Sequence, residues 1–260
     1  MNNLAHLFWR KWRWAEAERL FRRALAIDEA HRAPNHPFVA IRLNNLATTL
    51  MPMNRLTEAE PLMRRALAID EHNYGLDHPR VAVTLNNLAQ LLRATNRPVE
   101  AEPLIRRAVA IDERSLGLDH PTLASHLSNL AFLLLATGRF SEAEQLMRRA
   151  LAIDEHCFGS EAPLTAVRLA NLTRIVLKRG RLEEAETMAH RAREIWLGCK
   201  IAVDPRLGRA SWTLGEIEAL RQRKDAAREY LQEALRLLDR GGGRHLDDIE
   251  QVKATLATLV

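Results

Sequence analysis

The sequence predicts an all-α solenoid built from repeated pairs of helices, and three observations carry this prediction. Prolines stand at the evenly spaced positions 37, 79, 121, 163 and 205, which define a 42-residue period. The segment LNNLATTL at 43–50 recurs as LNNLAQLL at 85–92 and as LSNLAFLL at 127–134. An Ala-Glu pair and an Ile-Asp-Glu triplet keep the same step along most of the chain. A fixed period of this kind is typical of proteins whose units stack on their neighbours.

The first helix of each repeat is predicted to begin at the proline, because a proline in the first helical turn lacks only an N–H that would have no partner there. In the second repeat the apolar residues then follow at spacings of three and four, which predicts an amphipathic helix. They are Val39, Leu43, Leu46 and Leu50. The helix is predicted to end at residues that tolerate a left-handed backbone, namely Asn54, Asn96, Gly138 and Gly180.

The second helix of each repeat is predicted to open with a capping box, at 57–60 in one repeat and at 141–144 in another. Its apolar face predicts a buried stripe. In the second repeat this stripe consists of Ala59, Leu62, Met63, Ala66, Leu67 and Ile69. The helix is predicted to end near Gly75, and the corresponding helices near Gly117 and Gly159.

Extension of this register to both ends predicts six repeats over residues 1–245, with later units starting near 36, 78, 120, 162 and 204. The first repeat is predicted to be truncated, because Met1–Ala5 align with 43–47. Residues 246–260 align with 78–92 and are predicted to form a C-terminal capping helix. The segment FWRKWRW at 8–14 has two interpretations, a membrane-surface or partner segment and a cover for the truncated end, and the second is the simpler.

The composition excludes several classes of protein. The chain has 260 residues, 47% of them hydrophobic, and a formal net charge of +5. No apolar run approaches the roughly 18–20 residues that span a bilayer, and no signal-peptide layout is present, so a cytoplasmic protein is expected. The two cysteines, Cys157 and Cys199, are too few for a disulfide framework.

Chemistry-bearing motifs do not assemble into a catalytic or metal site. The sequence has no phosphate-binding loop, no HExxH and no nucleophile elbow, so we expect neither an enzyme nor a cofactor. His36, His78 and His120 recur one repeat apart. Because helices pack at about 8–10 Å, side chains one repeat apart cannot bind one ion, and we expect these histidines to shape the start of each first helix.

The second helices carry paired arginines at 22–23, 64–65, 106–107 and 148–149. A basic stripe of this kind is a feature of nucleic-acid-binding proteins, so that function has to be considered. Glutamates precede the first arginine by four residues, the favoured spacing of a helical ion pair. They are Glu18, Glu60, Glu102 and Glu144. No aromatic ladder accompanies the arginines. The pattern therefore predicts a solvated, self-neutralised face and no nucleic-acid partner.

The recurring segments LNNLA, AEPLMRRALAI and GLDHP resemble the tetratricopeptide repeat, in the 42-residue form of kinesin light chains and many bacterial repeat proteins. The matching residues of the second repeat are Leu43, Leu46, Ala47, Leu50, Ala59, Met63 and Ala66. The common form has 34 residues, and the additional eight lengthen the helices and their connection. The resemblance implies a right-handed superhelical solenoid of antiparallel helix pairs, with the first helices along a concave groove and the second helices on the convex face.

The resemblance also implies that the first asparagine of each pair, and the residue four positions later, point into the groove. An asparagine amide both donates and accepts, so it can bond either group of an extended peptide backbone. An alternative is that these amides stiffen the stack. We expect the first member to bind and the second member to be structural. The expected binding positions are Asn44, Asn86, Ser128, Thr48, Gln90 and Phe132, and the structural ladder is Asn45, Asn87, Asn129 and Asn171.

Three basic residues on the first helices can supply positive charge to an acidic peptide, or can be ordinary solvated charges. They are Arg93, Arg174 and Lys178. The sequence therefore predicts an adaptor that binds a protein or peptide, acidic if these charges are used. The alternative is a self-associating scaffold, with contact between copies at the N-terminal end, or a sensor arm of a larger signalling protein.

Overall fold

The computed structural model describes residues 2–199, 205–239 and 246–259, and the regular structure in these ranges is helical throughout. The first helices of the repeats are α1 (Asn2–Arg10), α3 (Pro37–Leu50), α5 (Pro79–Ala94), α7 (Pro121–Ala136), α9 (Pro163–Lys178), α11 (Pro205–Leu220) and α13 (Leu246–Ala257). The second helices are α2 (Trp14–His31), α4 (Leu56–Tyr74), α6 (Pro98–Ser115), α8 (Phe140–Phe158), α10 (Leu182–Gly198) and α12 (Lys224–Asp239). The predicted all-α fold of sequential antiparallel helix pairs is confirmed.

The first helices begin at the prolines, and a histidine side chain caps three of them. Nδ1 of His36 accepts a hydrogen bond from the backbone N–H of Phe38 at 3.1 Å. His78 and His120 make the same bond at 3.2 Å, each to the residue two positions later. This bond satisfies one of the N–H groups that a helix N-terminus leaves unpaired. The histidines therefore shape the helix starts, as the sequence predicts.

The predicted capping boxes are wrong. α4 and α8 begin before Thr57 and Ser141, and the residues that precede these helices are Arg55 and Arg139, whose side chains make no capping bond. Each arginine instead pairs with the glutamate three residues later, as Arg55 does with Glu58. Only one residue separates the left-handed Asn54 or Gly138 from the following helix, so each helix begins ahead of the threonine or serine. A carboxylate in the first turn also suits the helix dipole.

The turns between the two helices of a repeat use a left-handed residue at the predicted positions. Asn54 and Asn96 have φ of 57°, and the glycines at the same register positions have φ of 78° and 75°. The register continues to Trp12 and Gln222, both with φ of 62°. The sequence analysis did not single out these two, because bulky side chains rarely adopt this backbone conformation.

The chain divides into two compact units, Met1–Leu133 and Leu134–Val260. In the first unit α1 to α6 pack each against the next, and in the second unit α8 to α13 do the same. The core of the first unit repeats with the sequence. One cluster contains Val39, Leu43 and Ala66, and the next contains their equivalents one repeat later. Leu62 and Leu67 of the predicted stripe are only partly buried.

The last described helix, α13, packs against α12 through Ile249 and Val252, which join a cluster with Leu231 and Leu238. The predicted capping role of α13 stays a prediction. Along the described parts of the chain, no helix combines the length and the apolar character needed to cross a membrane.

Candidate functional site

The repeated asparagines bond to one another across neighbouring first helices. Nδ2 of Asn87 donates to Oδ1 of Asn44 at 3.1 Å, and Nδ2 of Asn129 donates to Oδ1 of Asn86 at 3.0 Å. Each bond joins the first member of one pair to the second member of the next. We call these two bonds the asparagine ladder. Both members of a pair thus take part in one network, and the separate roles that the sequence suggests for them stay a prediction.

The predicted groove residues of the first unit differ in exposure. Asn86 is 6% exposed and Ser128 is 2% exposed, whereas Arg93 is exposed. Thr48 is half-buried, and its hydroxyl donates to the carbonyl oxygen of Asn45 at 3.0 Å. The half-buried remainder comprises Asn44, Gln90 and Phe132. The most buried of these positions have little surface to offer a ligand.

The predicted residues of the second unit come together around a cavity. The cavity has a volume of about 1110 Å³ and is lined mainly by the first helices α9, α11 and α13. Asn171, Arg174 and Lys178 of α9 all line it. The sequence predicts Asn171 as structural, and its position in this wall does not test that role.

Other cavity-lining residues follow the repeat register. Positions 171, 213 and 255 line the cavity, and so do positions 174, 216 and 258. Each set advances by one repeat at a time. Position 216 lies four residues after 212, the register position of the first asparagine, so the sequence pattern already implies a groove position there, whereas Thr213, Thr255 and Thr258 were missed. Trp212 and Leu220 of α11 and Leu259 add apolar surface. The cavity can therefore accept apolar as well as charged groups.

The cavity is more basic than acidic. Arg174 and Lys178 are exposed, one turn apart on α9, and no ion pair to another described residue engages either of them. Arg209 pairs with Asp248 of α13 at 2.7 Å. Burial raises the pKa of the Glu216 carboxyl, and Arg174 and Lys178 only partly oppose this effect. The two cations of α9 are thus available to an external anion.

Many arginines of the second helices form ion pairs with glutamates. Glu18, Glu60 and Glu144 each accept from the arginine four residues later and also from an arginine of the next repeat, as Glu60 does from Arg64 and Arg97 at 2.7 Å each. Around Glu144, desolvation alone would raise the carboxyl pKa, but Arg181, Arg148 and Arg179 together lower it to about 2. These pairs agree with the predicted self-neutralised face.

A largely buried polar pair, which the sequence analysis also missed, joins each of the first four second helices to the next first helix. The aspartate of the Ile-Asp-Glu triplet contacts the residue 14 positions later. The pairs are Asp28 with Arg42 at 2.8 Å, Asp70 with Thr84 at 2.8 Å, Asp112 with His126 at 2.7 Å and Asp154 with Arg168 at 2.5 Å. In the fifth repeat the same two positions hold Trp196 and Ala210, which pack in one apolar cluster. These two positions therefore hold either two polar residues or two apolar residues, depending on the repeat.

Comparison with protein families finds three models, each described as tetratricopeptide repeat. One matches residues 43–114, 97–156 and 122–197, a second matches residues 1–38, and a third matches residues 172–241. Together the first model's matches extend over more than half of the chain. No curated protein matches the chain at a significant level.

Solved structures of repeat proteins superpose on the chain. One is a structure of the nearly identical TPR-like repeats of a putative kinesin light chain from Podosopora anserina. Its sequence is 22% identical to this chain, and the TM-score is 0.68 over 80% of this chain and 98% of that chain. BtubC (BKLC) from P. vanneervenii is 20% identical, with a TM-score of 0.65 over 94% of this chain and 89% of that chain. A Rap protein complexed with Competence and Sporulation Factor is 16% identical, with a TM-score of 0.70 over 100% of this chain and 75% of that chain. At these identities the likeness concerns the fold.

Proposed function

Because the chain belongs to the tetratricopeptide repeat family, whose members are generally protein–protein interaction modules and typically not catalytic, we propose that it is a protein- or peptide-binding adaptor. The ligand lies on the face formed by the first helices of the repeats. The observation that carries this proposal is the cavity of the second unit, which α9, α11 and α13 line together. Its volume of about 1110 Å³ lies slightly above the usual range of small-molecule sites and suits several residues of a peptide.

The proposed ligand is acidic. Arg174 and Lys178 present two cations one helical turn apart, beside the apolar surface of Trp212 and Leu220. A carboxylate that reaches them would form charge-assisted hydrogen bonds, which are stronger than neutral ones. The neighbouring Asn171 offers an amide that can donate to or accept from the ligand backbone. In the first unit, Arg93 and the half-buried amide of Gln90 would make equivalent contacts.

Selection from a displayed peptide library, with the full chain immobilised, tests this proposal. Peptides rich in Asp and Glu should be enriched, and the Arg174→Gln and Lys178→Gln double variant should lose them. The matched control changes Arg228 and Arg236 to Gln, because both are exposed on α12 of the same unit and outside the cavity lining. Enriched peptides that bind the double variant and the wild type equally well would refute the proposed site.

A second candidate function, a self-associating scaffold, is supported by the apolar surface of α1 and the turn after it. Leu4, Leu7, Trp9 and Trp12 are between 41% and 52% exposed. Exposed apolar side chains grouped in this way are typical of protein interaction surfaces. A role as the sensor arm of a larger signalling protein would use the same surface. The apparent mass of the chain in solution separates the self-associating scaffold from a monomeric adaptor.

The remaining parts of the proposal concern the location of the protein and the functions that we exclude. We place the protein in the cytoplasm, with no nucleic-acid partner, no cofactor and no catalytic activity of its own. The ion pairs that engage arginines of the second helices, as at Glu60 and Glu144, support the absence of a nucleic-acid partner. Cell fractionation and a filter-binding assay with duplex DNA and RNA would test the first two parts.

A further inference from the structure

The cavity of the second unit contains a carboxylate of its own in a position to meet an acidic ligand. Glu216 of α11 stands one repeat after Arg174, so it is the equivalent position on the adjacent first helix. Both residues line the cavity, and Lys178 lies one turn further along α9. The carboxylate and the two cations therefore share one space.

The other charged residues that line the cavity are Arg209, Asp248 and Lys224. Arg209 of α11 pairs with Asp248 of α13 at 2.7 Å. Lys224, at the start of α12, also lines the cavity. The helix α10, which packs against α11, contributes none of the described lining residues, and its Glu186 pairs with Arg221 at 2.7 Å. The field at Glu216 is thus set mainly by α9.

Glu216 is half-buried, and no ion pair joins it to another described residue. Burial raises the pKa of its carboxyl, while Arg174 and Lys178 favour the charged form. Its charge is therefore poorly stabilised for a glutamate that lies so near two cations. The two cations, in turn, are only partly neutralised by Glu216.

We propose that Glu216 determines the specificity of this site by competing with an anionic peptide for Arg174 and Lys178, an inference that rests on the proposed function above. When Glu216 is ionised, an acidic group of the ligand that approaches the two cations meets a like charge. When Glu216 is protonated, this repulsion disappears, and its hydroxyl can donate a hydrogen bond to the anion. Anionic ligands should therefore bind more tightly as pH falls, since the neutral form of Glu216 becomes more populated.

The test uses a probe whose own charge does not change with pH, namely a rhodamine-labelled hexapeptide of cysteic acid. Its sulfonates stay ionised between pH 4.5 and 8, and fluorescence anisotropy reports its binding to the full chain. The variant is Glu216→Gln, which keeps the shape of the side chain and removes the charge. The matched control is Glu250→Gln, because Glu250 is an exposed acid on α13 outside the cavity lining, so the net charge of the protein changes equally.

The wild type should bind the probe more tightly at pH 5 than at pH 7.5. At pH 7.5 the Glu216→Gln variant should bind roughly 3- to 10-fold more tightly than the wild type, as expected for removal of a like charge at the edge of a solvated site. Its affinity should no longer depend on pH, and the Glu250→Gln variant should behave as the wild type. Thermal melting of each variant checks that the fold is retained.

The same experiment separates failure of this inference from failure of the proposed function. If the Arg174→Gln and Lys178→Gln variant loses the probe, but Glu216→Gln binds it no better than the wild type, Glu216 is not a competitor and the acidic-peptide site stands. A wild-type affinity that does not change with pH has the same meaning. If the probe fails to bind, or binds without Arg174 and Lys178, both proposals are wrong.

Discussion

At the scale of the residue, the asparagine ladder explains why a helix retains a residue that weakens it. Asparagine is a poor helix former because its side chain competes for backbone hydrogen bonds. Here the amide of Asn87 bonds to Asn44 on the preceding first helix, and Asn129 bonds to Asn86. The lower helix propensity of asparagine costs stability within one helix, and the hydrogen bond between two helices offsets this loss.

A double-mutant cycle at Asn44 and Asn87 tests this bond. Each single change to Ala removes the same hydrogen bond, so the two changes should not be additive. We expect a coupling free energy of about 0.5–1.5 kcal/mol from urea unfolding of the four proteins. The control cycle pairs Asn44→Ala with Asn129→Ala, because Asn129 bonds to Asn86 instead. Additive effects in the first cycle would show that the bond contributes nothing.

The carboxylate of Glu144 gives a prediction about pH. Three arginines lower its pKa from the ordinary 4.5 to about 2, although desolvation opposes them. A lowered pKa in the folded state stabilises the fold above pH 4.5, and this stabilisation is lost as pH falls towards 2. Glu144→Gln should therefore reduce the free energy of unfolding at pH 7 by at most about 3 kcal/mol.

The difference between wild type and Glu144→Gln should shrink steadily in unfolding experiments below pH 4.5. The control is Glu186→Gln, at the same register position one repeat later, where Arg221 is the partner at 2.7 Å. The control should lose less stability at pH 7. A difference that is independent of pH would mean that the arginines do not lower the pKa of Glu144.

At the scale of the element, close packing between the two helices of a repeat depends on small residues. Ala66 of α4 is fully buried against Val39, Ala40 and Leu43 of α3. Its equivalent, Ala108, belongs to the corresponding cluster of the next repeat. A side chain with one methyl group allows the helix backbones to approach, and a larger one would force them apart.

Ala66→Trp should destabilise the protein by about 1–3 kcal/mol or more, because overpacking a filled contact strains both helices. The matched control is Ala68→Trp on the same helix, where the side chain is exposed. That change should stay within about 0.5 kcal/mol of the wild type. Chemical unfolding followed by circular dichroism measures both. Equal stabilities for the two variants would show that the register of α4 is assigned wrongly.

At the scale of the whole molecule, the first helices of the two units carry different sets of polar residues. The first unit contains the asparagine ladder, whereas the second contains the cavity with Arg174, Lys178 and Glu216. The apolar surface of α1 belongs to the first unit. Partner binding and self-association would therefore use separate surfaces, which single sets of mutations can distinguish.

Replacement of both Trp12 and Trp14 with Gln tests the surface at α1. The two rings meet edge to face, with 5.7 Å between their centroids, and Trp12 is 52% exposed. If this surface joins two copies, the variant should have a lower apparent mass in light scattering, or a changed solubility if the surface is merely uncovered. Val99→Gln, at a side chain that is 86% exposed, controls for loss of any exposed apolar group. An unchanged mass, solubility and melting temperature would show that the tryptophans are incidental.

The sequence by itself determined the period, the type and order of the helices, and most of their boundaries and buried stripes. These features follow from local rules: proline begins a helix, a left-handed residue ends it, and a spacing of three and four buries one face. Asn54, Gly138 and Ala66 could all be placed in this way. The capping boxes failed because the length of the preceding turn decides where the helix starts.

Only the tertiary structure decided which side chains meet across repeats. Asn87 bonds to a residue 43 positions earlier, and Arg97 pairs with Glu60, 37 positions earlier. These offsets are set by how neighbouring helices slide and rotate against each other, and the repeat period does not contain that information. The same holds for the cavity, since its wall combines residues from three helices whose individual patterns are ordinary. Packing geometry is a property of pairs of helices, and a sequence pattern describes one helix at a time.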